Sequence, residues 1–124
     1  MKPRQHAPAP LLAACMFALA FGAGCNGREV TMLGQPPDET VMDLATARQV
    51  QGKARVTVAG RMIEKCPEAG CWFVLKNGSE RVRVDTKTAG FVVVEVPLNR
   101  TVTVSGAWAT NGTEVVLAAT GIRY

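Results

Sequence analysis

Histidine is nearly missing from this chain of 124 residues: the single copy, His6, lies close to the start. Aromatic residues make up 6% and charged residues 19%. No apolar run reaches the ~20 residues that a membrane-spanning helix needs. There is no C-x-x-C pair and no glycine-rich loop of the phosphate-cradling kind. The length leaves room for one small domain and none for a two-lobed nucleotide enzyme. A hydrophobic share of 48% belongs to a chain that folds rather than to a disordered one.

The first residues account for part of that composition. Lys2 and Arg4 precede the uncharged stretch Leu11–Gly24, LLAACMFALAFGAG. A basic start, a short apolar stretch and small residues at its end read as an export signal covering 1–24. Gly22-Ala23-Gly24-Cys25 looks like a bacterial lipobox, with Gly22 where Leu is usual. Cys25 is therefore the expected lipidation site, its acyl chains (palmitate among them) holding the protein on the membrane. More than one chain is what stable anchoring requires. Leu12-Ala13-Ala14-Cys15 has a similar form, but cleavage there would leave almost no apolar segment ahead of it. The plainer alternative is an ordinary cleaved signal with Cys25 as a spare thiol. Asn26 stands where an acidic residue would favour inner-membrane retention. The expected location is thus the envelope, facing the periplasm, on the outer membrane of a Gram-negative host.

Without 1–24, twelve bases face ten acids, a net charge of +2, and no histidine remains. Ser-His-Asp and Cys-His catalysis are excluded, as are single-chain zinc or copper sites that use histidine. Residues 25–47 read as the lipidated cysteine and a flexible tether. Gly27, Gly34, Pro36 and Pro37 interrupt any period there, and Thr40 or Asp43 is placed to cap a helical turn or two.

The domain proper is expected over 48–124 and is all-β. Val56 and Val58 alternate with polar neighbours, Gly60 suggests a bulge or bend, and Met62 and Glu64 follow. A second strand is Cys71–Lys76, and Asn77-Gly78 then favours a tight hairpin. The third strand is Glu80–Asp85, the fourth Thr101–Trp108, and the last starts at Glu114. Five strands in so short a stretch favour a small five-stranded OB-like barrel, because an open sheet would leave two edges and an apolar face uncovered. Pro97 and the valines of the third connector make a helix there short or absent.

One segment is chemically unusual: Cys66-Pro67-Glu68-Ala69-Gly70-Cys71-Trp72. One cysteine ends the first strand and the other starts the second, so the hairpin is expected to set them opposite each other, at a spacing that suits a disulfide, which export also favours. A second reading is a soft-metal site for copper, with Met62 as an added ligand. A third is a redox pair, although the C-x-x-C spacing and helix N-terminus that usually lower a thiol pKa are missing.

The run C-P-x-x-G-C-W-F-x-L, followed by R-V-R-V-D, resembles a group of small exported bacterial proteins with an OB-like domain of unassigned function. A G-F-aromatic-V-P element continues their pattern; here Gly90-Phe91 to Pro97 is longer and lacks the second aromatic. The resemblance spans about residues 50–108 and implies fold and export rather than chemistry. Arg81, Arg83 and Trp72 form the candidate ligand face, with Arg55 and Arg61 nearby. Trp72 and Trp108 are otherwise core residues, and the arginines a solvated face. The expected function is a lipid-anchored binding or scaffold domain without catalytic activity, whose partner is an envelope protein or a small ligand. Nucleic acid is excluded as partner by the small net charge and the export signal. The alternative is copper handling or thiol redox at Cys66 and Cys71.

Overall fold

Valines alternating with polar residues drive the strands, and their pairing closes them on themselves. The computed structural model describes residues 29–124. It contains β1 (Met32–Gly34), α1 (Leu44–Ala47), β2 (Val56–Lys65), β3 (Trp72–Asn77), β4 (Glu80–Asp85), β5 (Thr101–Asn111) and β6 (Glu114–Arg123). The export signal, Cys15, Cys25 and Asn26 lie outside the described residues. β2 pairs with β3 and β5, β3 with β4, and β5 with β6, all antiparallel. A short parallel pairing, Val84 with Leu117 and Asp85 with Ala118, joins β4 to β6 and closes the barrel. The expected all-β, five-stranded OB-like barrel is therefore what forms, with β1 as an added strand on β6.

Closure turns the alternation into a core. Val58, Phe73, Leu75, Val84, Val104 and Leu117 are fully buried. Each such side chain contributes about 1.5–3 kcal/mol relative to exposure. No helix forms between β4 and β5. Val92–Val94 are stiff at χ1 and Pro97 lacks an N–H, so the connector runs through turns instead. It buries Val93 and Val96 in the core. α1 also adds Leu44 and Ala47 to that core. Asp43 stands at its N-cap without a side-chain cap bond. The Leu44 amide bonds Asn77 Oδ1 instead, at 3.4 Å.

Three expectations need correction. The first concerns the tether, which from Thr31 onward is docked on the barrel. Met32–Gly34 pair with Gly121–Arg123, and the Gln35 amide donates to Thr120 O at 2.9 Å. Asp38 then accepts from Thr57 Oγ1 and from Arg55 Nε, both at 3.1 Å, while its own amide bonds Ser105 Oγ. Leu33 packs on the core and the backbone groups find partners, which together outweigh the freedom a Gly/Pro-rich segment would keep.

The second concerns the hairpin turn. Asn77 pairs with Glu80, so the loop is Gly78-Ser79 rather than Asn77-Gly78. Gly78 has φ +62° at the first central position, the arrangement of a type II′ turn. Asn77 stays in the strand because its side chain is occupied: Nδ2 donates to Ala59 O at 2.8 Å while Oδ1 holds α1.

The third concerns register. Met62 faces Leu75 but Glu64 faces Val74, so β2 carries one extra residue at Ile63. Gly60 is not the bulge. Its hydrogen lies where a Cβ would sit 2.3 Å from the Lys76 carbonyl oxygen, so it permits a close strand crossing. The bulge moves Cys66 opposite Trp72, its amide donating to Trp72 O at 3.0 Å. Without it, Cys66 would have stood opposite Cys71.

Candidate functional site

Register decides what shares the barrel's outer surface. Because Phe73, Leu75, Val82 and Val84 point inward, the alternate positions Trp72, Val74, Lys76, Arg81, Arg83 and Asp85 share the outer face of β3 and β4. In an OB barrel these two strands form the usual ligand face.

At the hairpin end of this face Arg61, Lys76 and Arg81 stand in one row across β2, β3 and β4. Strand spacing puts neighbours on such a row about 5 Å apart, and like charges opposed in this way repel. None of the three has a carboxylate within 4.0 Å among the described residues, whereas Arg48, Arg55, Arg83 and Arg123 each do. Beside the row runs a shallow groove of ≈ 340 Å³ lined by Gly60, Arg61, Lys76, Asn77, Gly78 and Thr101.

Farther along the face, the Arg83 guanidinium lies 4.4 Å from the centre of the Trp72 ring. Its Nη1 approaches Glu114 at 4.0 Å, and its buried Nε has no hydrogen-bond partner among the described residues. The structure thus brings together three expected face residues: Trp72, Arg81 and Arg83. Arg61 joins them, whereas Arg55 is taken up by Asp38 and the Pro36 carbonyl. Lys76 was missed by reading the sequence. With the turn centred on Asn77-Gly78 it would oppose Ser79; with the turn at Gly78-Ser79 it opposes Arg81. Trp108 lies elsewhere: it packs half-buried against the core with its Nε1 donating to Ala47 O at 2.8 Å, whereas Trp72 departs from the core reading and lies on the outer face.

The cysteine turn lies at the far end of the same face, next to Trp72. Cys66 and Cys71 are both free thiols and both half-buried. The expected opposition across the ladder is lost to the bulge at Ile63, and no disulfide joins them in this structure. Met62, the expected third soft ligand, is fully buried in the core, so its thioether is used in packing.

What the turn does instead is gather N–H groups around one sulfur. The Ala69 amide donates to Cys66 Sγ at 3.4 Å. Hydrogen bonds from Ala69, then from Glu68 and Gly70, hold the Cys66 thiol down at about 7 from an ordinary 9.0. The cause is the one that makes helix N-termini and backbone nests bind anions: aligned N–H dipoles favour the charged form.

This shift has a stability consequence. Between pH 7 and 9.0 the unfolded chain holds the Cys66 proton and the folded chain does not. Stability of the reduced protein is therefore expected to rise from pH 7 to 9 and to lose that increment as pH falls through 7. Urea midpoints of reduced wild type and Cys66→Ser across this range check it. Parallel curves would show that the N–H groups do not act on the sulfur.

No family model and no curated protein matches the chain. Among solved structures it is similar to the hypothetical protein ygiW from E. coli. Identity is 20% and the TM-score 0.52, over 69% of this chain and 90% of that one. At this identity the likeness shows the OB-like barrel fold.

Proposed function

We propose that the chain is a lipid-anchored envelope protein whose barrel binds an anionic segment of a partner protein on the outer face of β2, β3 and β4. The observation that carries this reading is the row Arg61, Lys76 and Arg81. Three register-neighbouring cations without a carboxylate partner among the described residues are a standing electrostatic cost, relieved when an anion docks between them. The groove beside the row gives an extended segment room to lie against the backbone. Trp72, under Arg83, supplies a flat contact farther along the same face.

The reading keeps the motif-bearing exported proteins as kin and the outer membrane as location. Anchoring at Cys25 would leave five residues, 26–30, before the docked Thr31. Fully extended they span at most about 18 Å. The barrel would then work close to the bilayer, and its partner would be found there. Cys25→Ser is expected to abolish incorporation of labelled fatty acid and to leave unprocessed precursor; label entering the variant at the wild-type level would place the anchor elsewhere.

The face itself is tested with polyglutamate as anionic probe. The full chain in mild detergent is expected to bind it at low salt and to release it as salt rises. Lys76→Glu combined with Arg81→Glu is expected to remove binding, with the circular dichroism of the β barrel unchanged. Undiminished binding by a folded double variant would reject this face.

A further inference from the structure

A second chemistry lies at the opposite end of that face and does not depend on the anion-binding reading. We propose that the β2–β3 turn is a thiol–disulfide exchange site, in which Cys66 attacks a disulfide substrate and Cys71 resolves the mixed disulfide.

The turn is built to hold one sulfur as an anion. Its frame is fixed from three directions. The Cys66 amide donates to Trp72 O and the Thr86 amide to Cys71 O, both at 3.0 Å. The Val93 amide donates to Gly70 O at 2.8 Å. Lys65 Nζ bonds the Val94 carbonyl at 2.8 Å and also the Val96 carbonyl, which ties the connector down beside the turn. Gly70 takes φ +64°, and a Cβ there would lie 2.6 Å from Val94 Cγ2. Only glycine lets the chain bend back against the connector at this point, and beside that bend the Ala69 amide donates to Cys66 Sγ at 3.4 Å. A nest of this kind does for a thiol what a helix N-terminus does in C-x-x-C proteins.

The two cysteines are not equivalent. Among the described residues no hydrogen bond reaches Cys71 Sγ, while Cys66 Sγ accepts from the turn. The thiolate is the nucleophile, so Cys66 attacks. A thiol with its pKa near the ambient pH combines thiolate fraction with retained nucleophilicity. The Cys66 amide bonds Trp72 O across the ladder, so Cys71 is the chain neighbour of the residue opposite the attacking group. The bulge at Ile63 takes the pair out of direct opposition, so the ladder itself does not press the sulfurs together.

The exchange balances as two substitutions at sulfur. The Cys66 thiolate, its proton already given to solvent, bonds one sulfur of R–S–S–R′, and R′–S⁻ leaves and takes a proton from water. Cys71 gives its proton to solvent and bonds Cys66 Sγ; R–S⁻ leaves and is protonated. Two protein thiols are oxidised to one disulfide, and the substrate disulfide is reduced to two thiols. A dithiol donor reverses both steps and returns the site to its starting state.

The test uses the full chain in mild detergent, reduced, with glutathione disulfide as probe and peptide mapping by mass spectrometry. Wild type is expected to release two glutathione thiols per chain and to end with Cys66 joined to Cys71. Cys71→Ser is expected to stop with glutathione on Cys66. Cys66→Ser is expected to react about tenfold more slowly near neutral pH, since the remaining thiol lacks the nest. In wild type the rate should rise with pH through a midpoint near 7. Equal modification of both cysteines would overturn the assignment. So would a stable mixed disulfide on wild type, or a bridge that dithiothreitol opens only in denaturant. Tight Cu(I) binding that blocks the exchange at physiological copper would overturn it in favour of the metal reading. The wild-type map and pH profile stand without any variant, so misfolding of a serine variant would not leave the question open.

Discussion

Phe73→Ala is expected to lower stability by about 3–5 kcal/mol. Phe73 is the bulkiest of the fully buried side chains, and it sits on β3, between β2 and β4. The alanine variant loses the transfer free energy of the ring and leaves a cavity that the surrounding strands fill only in part, because their registers are pinned on both sides. For a domain of this size the whole margin is on the order of 5–15 kcal/mol, so the variant should sit near the edge of folding. Urea denaturation followed by far-UV circular dichroism gives the midpoint. A loss below 1 kcal/mol would mean that the β2–β3–β4 surface does not enclose the core described above. Val82→Asp probes the same wall from β4, where Val82 is 4% exposed. An unpaired carboxylate there costs several kcal/mol and should prevent folding altogether.

The interior of the barrel was legible in the sequence because period two is a local signal. Val82 and Val84 alternate with Arg81 and Arg83, and Val102 and Val104 with Thr101 and Thr103. Any reading of these runs puts the valines on one side, and the burial agrees. Nonlocal pairing was harder to see. Met32–Gly34 is three residues of strand in a stretch rich in glycine and proline, and what makes it a strand is the free edge of β6 beside it.

The site was legible in its residues and not in its geometry. Cys66, Cys71, Trp72, Arg81 and Arg83 all stand out by type, and all lie on or beside one face. Two single-residue shifts then decide what they do. One is the choice of Gly78-Ser79 over Asn77-Gly78, made by an Asn77 side chain that bonds to α1 and β2, both distant in sequence. It lines Lys76 up with Arg81. The other is the bulge at Ile63, which separates the cysteines across the ladder. A hairpin's register flips every side chain when it slips by one, so a reading that is right about strands can still be wrong about partners. The hydrogen bond to Cys66 was invisible for a related reason: its donor is the Ala69 backbone amide, a group that every residue but proline has, and only the folded turn brings it to the sulfur.

Gly121→Val is expected to expel β1 from the barrel while leaving the five-stranded closure in place. Gly121 pairs with Ser105 on one side and with Gly34 on the other. A Cβ at this position would stand 1.6 Å from the Gln35 carbonyl oxygen and 2.7 Å from the Gln35 nitrogen. Both obstacles are backbone, so no side-chain rotation relieves them, and the added bulk of valine makes accommodation harder still. β1 has three residues and packs only Leu33 against the core, so it is the element with least to lose by leaving. Its departure would forfeit the bonds of Thr31 with Tyr124, at 2.7 and 2.9 Å, and that from the Gln35 amide to Thr120 O. At ~1 kcal/mol for each backbone bond, with the Leu33 contact added, the loss is roughly 3 kcal/mol or more. Amide hydrogen exchange reads the outcome residue by residue. Protection should vanish at Thr31 and Gln35 and persist in β2, β3 and β5, and limited proteolysis should newly cut between Val30 and Pro36. Protection kept at Gln35 would mean that β6 can shift to admit the side chain, and loss across β5 as well would mean that β1 is part of the cooperative barrel rather than a strap laid over it.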